Sequence, residues 1–133
     1  MKTSVIVKVF LILTAIVGLY VGINLVFFPI ALQAQNNIIL EGNISLLSET
    51  RAPGTAILSA SILILIGAFR ASWHYLALLI TALFFMSYGL GRVFSYFVDG
   101  RPADGLFYAM FLELVFGIGA LILMRRVSSQ LPA

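Results

Sequence analysis

Four apolar runs divide the chain. The first extends from about Val5 to Phe28 and ends at Pro29. The second runs from about Gly54 to Phe69 and ends at Arg70. The third runs from about Trp73 to Val98, interrupted by Arg92, and the fourth from about Leu106 to Met124, stopping at Arg125 and Arg126. Runs of about 17–25 apolar residues cross ~30 Å of hydrocarbon as helix, and helices leave no backbone group unpaired in lipid. The pattern predicts four helices, at about 5–28, 54–69, 73–98 and 106–124, in one transmembrane domain over 1–133. The second run is short and borrows Ala52 and Pro53, with the proline in its first turn. The first run exceeds the usual signal-peptide core of about 7–15 residues and is read as a retained helix.

The connections differ. Arg70–Ser72 makes a tight helical hairpin, and Asp99-Gly-Arg-Pro-Ala-Asp104 is a turn. The long link from about Pro29 to Pro53 mixes Ile30, Leu32, Ile38, Ile39, Leu40, Ile44, Leu46 and Leu47 with Gln, Asn, Ser and Glu. It reads as an amphipathic segment lying in the membrane interface. The expected fold is all-α: an integral membrane four-helix bundle with this long outer connection between its first two spans.

Composition removes the alternatives. Of the 133 residues, 62% are hydrophobic and 10% charged, and mean hydropathy is +1.11. A soluble domain is about 25% charged, so a soluble enzyme, a nucleic-acid binder and a disordered chain are excluded as readings. The net charge of +3 reflects cations at the ends of apolar runs. Such cations set orientation. Lys2, Lys8, Arg70, Arg125 and Arg126 fall on one side, which predicts both termini inside, and Glu41, Glu49, Asp99 and Asp104 fall on the other. The absence of cysteine removes disulfides and thiolate metal sites. No nucleophile–base or metal constellation is present, so no cofactor is expected and the chain reads as a non-enzyme. The lone histidine, His74, lies between Trp73 and Tyr75 and reads as an interfacial belt residue.

Candidate chemistry lies in the outer half. Arg92 and Glu113 sit inside spans, about 10 and 12 Å below the outer surface at 1.5 Å per residue. Intramembrane charges are functional candidates, and matched depth on neighbouring helices predicts a pair. Ala109, Glu113 and Gly117 share one stripe of the fourth span; Tyr88, Arg92 and Asp99 share a face of the third. Asp99 is expected to hold Arg92 from above, Asn24 to add an amide, and Glu49 and Arg51 to stand at the mouth. Gly18-x-x-x-Gly22 in the first span is a close-packing motif, serving either the bundle or a dimer.

Ser48-Glu-Thr-Arg-Ala-Pro-Gly54, Gly89-Leu-Gly-Arg-Val-Phe-Ser95, Asp99-Gly-Arg-Pro102 and Glu113-Leu-Val-Phe-Gly117 resemble the bacterial domain-of-unknown-function family 4345, small four-helix membrane proteins. Thr55 stands where the family often has a second glycine. The resemblance implies the bacterial inner membrane and supplies no activity. The expectation is a non-enzymatic integral membrane protein, an accessory or oligomeric subunit whose partners are membrane lipids, copies of itself or a larger complex. The alternatives are an outward-facing binding or transport protein for a small amphipathic molecule or lipid, and a membrane lipid- or quinone-modifying enzyme. A cavity lined by Arg92 and Glu113 would favour binding; a dry interface would reduce the cluster to architecture.

Overall fold

The computed structural model describes residues 2–129. Its helices are α1 (Lys2–Phe27), α2 (Pro29–Ala34), α3 (Ile44–Ala68), α4 (His74–Asp99) and α5 (Asp104–Ser128), with one 3₁₀ turn at Ala71–Trp73. Among the described residues there is no strand. Four stretches, Ser4–Phe27, Ile44–Ala68, Ala71–Asp99 and Asp104–Ser128, are long and apolar enough to cross a membrane. Only 22–33% of an 18-residue apolar window in each is buried within the chain. Outward side chains such as Leu83 (62% exposed) and Val115 (65%) are therefore apolar where a soluble bundle would be polar. This is the make-up of a multi-pass membrane protein.

The four long helices run antiparallel as two hairpins, α1 with α3 and α4 with α5, joined through the α3–α4 turn. Missing side chains set the spacing inside each hairpin. A Cβ at Gly22 would lie 2.8 Å from Leu58 Cα, and one at Gly54 would lie 2.6 Å from Leu25 Cβ. In the second hairpin a Cβ at Gly89 would meet Leu114 Cδ2 at 2.9 Å, and one at Gly117 would meet the Met86 backbone nitrogen at 3.0 Å. Small residues let helix backbones approach where no hydrophobic effect drives them together. Gly18 faces Ser61 of α3, so the Gly18/Gly22 motif is used inside the chain, between α1 and α3.

Where all four helices meet, the core is Val7, Leu11, Ala15, Ile64, Ala68, Ala77, Leu78, Ala82, Ala120 and Leu123. Every one of these lies in the half of the bundle that holds the start of α1, the α3–α4 turn and the end of α5. The buried hydroxyls there add no cross-links: Thr14 donates to Leu11 O and Thr81 to Ala77 O, each within its own helix.

Three expectations need correction. The second span begins at Ile44, ten residues before Gly54. Asn43 starts it, its side chain accepting the Leu46 N–H at 2.9 Å. Pro53 lies inside the helix, where it removes one backbone donor without ending it. The connection is thus shortened to Phe28–Asn43. Within it, α2 closes with Asn37 at φ 60°, the Ile38 N–H reaching Gln33 O and the Asn37 N–H reaching Ala34 O. That is a Schellman cap, with asparagine in the left-handed position. The segment is mixed in character: Leu40 is 1% exposed and Ile39 81%. Lastly, His74 is buried, not a belt residue, and its Nε2 lies 3.4 Å from Ala68 O at the end of α3. There it partners a carbonyl that the helix terminus leaves free.

Candidate functional site

Each hairpin contributes one wall of the half of the bundle beyond the core. On α4, Tyr88 and Arg92 are one turn apart, and on α5 Ala109 and Glu113 are one turn apart. The close approach at Gly89 and Gly117 holds the two helices in register, so the side chains between them meet. Arg92 Nε donates to both Glu113 oxygens, at 2.9 Å to Oε2 and 3.1 Å to Oε1. The side chains are 29% and 14% exposed.

The pair stands beside a cavity of about 130 Å³ that touches all four long helices. Its floor, Gly18, Ala60, Ser61 and Ile64, is buried and rests on the core. Its walls are apolar and only half-buried: Val17, Val21 and Leu25 from α1, Ile57 from α3, Phe84 and Phe85 from α4, and Ala109 from α5. Tyr88, Arg92 and Glu113 supply its polar groups other than the Ser61 hydroxyl, which is already committed to Ile57 O. The hairpins, tight within themselves, leave this space between them because bulky aromatic side chains on α4 face valines on α1.

Two donors in this wall have no protein acceptor among the described residues. Arg92 bonds through Nε alone, which leaves both Nη groups, and the Tyr88 hydroxyl makes no hydrogen bond. Among the described residues no buried side-chain polar atom lacks a partner, so these groups are accessible. Both Glu113 oxygens, by contrast, already accept.

The rest of the expected polar cluster does not assemble. Asp99 does not hold Arg92 and instead accepts from the Ser95 hydroxyl at 2.7 Å, one turn earlier on its own helix. Asn24 donates to Tyr20 O at 2.7 Å, also within its helix. Glu49 is exposed and outside both ion pairs found among the described residues, Arg92–Glu113 and Arg101–Asp104. Arg51 donates to Val26 O. Pro29 explains that contact: α1 breaks off there, and the Val26 carbonyl is left for a donor from α3. Asp99 and Asn24 are satisfied by a nearer partner on the same helix, and Arg51 by a helix end, before they can reach Arg92. Tyr88 is the expected member that lines the same cavity as the pair, and Ala109 forms the adjoining wall. The aromatic lining, Phe84 and Phe85, carried no signal beyond helical periodicity, which marks core and cavity wall alike.

The architecture, then, is four candidate spans with an Arg–Glu contact between the last two. The model of a family described as "Domain of unknown function (DUF4345)" matches residues 6–124. This chain belongs to that family. The match takes in every residue of the cavity and both members of the pair. No curated protein and no solved structure matches the chain. Among the described residues no group of His, Asp or Glu is placed to hold a metal.

Proposed function

We propose that this family member is a non-enzymatic protein of the bacterial inner membrane, with both termini cytoplasmic, that binds a small amphipathic molecule between its two hairpins. The cavity carries the reading. An apolar space of about 130 Å³ compares with the ~150 Å³ at which an engineered protein cavity takes up a benzene-sized guest. Convergent polar groups at one side of an apolar pocket are the usual composition of a small-molecule site. The orientation rests on the gathering of Lys2, Lys8, Arg70, Arg125 and Arg126 at the end of the bundle away from the cavity. An accessory-subunit role keeps less support, because the Gly18/Gly22 face that would seat a partner helix is occupied by α3.

The test uses ethylbenzene, an apolar ring of the cavity's size, with methyl-labelled protein in lipid nanodiscs. Saturable shifts at the Ile64 and Ala60 methyls are expected. Ala109→Phe, which fills the wall, should abolish them. Shifts no larger than those at the outward-facing Leu83 and Val115 would sink the reading.

A further inference from the structure

The charge and donor balance of the cavity wall specifies its occupant more narrowly. Arg92 and Glu113 cancel, so the site has no net charge to offer an anion. Both carboxylate oxygens are engaged, whereas the two Arg92 Nη groups and the Tyr88 hydroxyl are accessible and unpartnered. The site is thus neutral and rich in donors. An incoming carboxylate or phosphate would add a charge beside Glu113 that nothing compensates, and an uncompensated charge within the bilayer is costly. An incoming cation would face the guanidinium. A neutral acceptor has neither penalty, and it satisfies donors that lipid tails cannot.

Resting on the binding reading above, we propose that the ligand is a neutral, carbonyl-bearing amphipath. Its ketone, ester or amide oxygen accepts from Arg92 Nη and the Tyr88 hydroxyl, and its apolar body fills the space above Ser61 and Ile64. The cavity volume limits the buried body to about one six-membered ring or an equivalent run of carbons. Glu113 is a positioning residue: it holds the Arg92 side chain by Nε so that the Nη groups stay free for the ligand.

Three probes of nearly equal shape separate the possibilities: ethylbenzene, acetophenone and benzoate, compared at equal concentration in the nanodisc bilayer. One hydrogen bond from a charged donor predicts that acetophenone binds about tenfold tighter than ethylbenzene. Benzoate should bind at least tenfold more weakly than acetophenone. The double variant Arg92→Leu with Glu113→Leu should keep ethylbenzene binding and lose the acetophenone advantage; Tyr88→Phe should lose part of it. Equal affinity for acetophenone and ethylbenzene would overturn the proposal while leaving the cavity reading intact. Tightest binding of benzoate would also overturn it and make the site an anion site. Failure of all three probes to bind the wild-type protein would overturn both readings. The wild-type ranking alone decides the question if the double variant does not fold.

Discussion

Replacing Glu113 by leucine leaves the Arg92 guanidinium without its counter-ion in the bundle, and replacing Arg92 by leucine does the same to Glu113. Breaking a buried ion pair costs about 3–5 kcal/mol. Here Arg92 is 29% and Glu113 14% exposed, and Arg92 has a long stem that can carry its charge toward the membrane surface. Each single change should therefore cost about 2 kcal/mol, below the fully buried range. The double change to leucine removes both charges and leaves apolar side chains of similar bulk, so it should lie within about 1 kcal/mol of wild type. The coupling energy is then about 3–5 kcal/mol, well above what independent sites show. Reversible unfolding in mixed micelles measures it, with the single tryptophan, Trp73 at the α3–α4 turn, as the fluorescence reporter. Additive single changes, with no coupling beyond about 0.5 kcal/mol, would refute the argument that the two side chains act as a unit.

Other substitutions probe the frame around the site. Gly22→Ala should destabilise by about 1–3 kcal/mol in the same assay, because its methyl would meet the Leu58 backbone at 2.8 Å. Gly91→Ala, with no atom within 4 Å of its Cβ, should be neutral or stabilise by up to about 1 kcal/mol through helix propensity. Arg51→Ala should cost about 1–2 kcal/mol by freeing the Val26 carbonyl, and Arg51→Lys should restore part of that. Reporter fusions should read Ser72 as cytoplasmic and Asn43 and Pro102 as external. Fusions at Met1 and Ala133, which lie outside the described residues, should also read cytoplasmic. A cytoplasmic Asn43 would reverse the orientation.

The sequence by itself determined what depends on position along a helix. Hydropathy is summed residue by residue, so four runs ending at Pro29, Arg70, Asp99 and Arg125 were enough to mark four membrane-crossing helices. Depth follows from the same count at 1.5 Å per residue, so Arg92 and Glu113 were legible as neighbours across a short turn. The start of α3 was not, because proline is read as a helix boundary. Only the cap at Asn43 shows that the helix starts earlier and continues through Pro53. Nor was the fate of the other polar side chains legible. Asp99, Asn24 and Arg51 each had several partners within reach of a helical wheel. The choice among them fell to Ser95, Tyr20 O and Val26 O, on grounds of local distance and helix ends. The tertiary structure alone decided that Gly18 and Gly22 face α3, and that two tight hairpins leave a cavity between them. Such a gap depends on how far apart and at what rotation helices pack. Those quantities arise from all the side chains at an interface together, and no single run of residues encodes them.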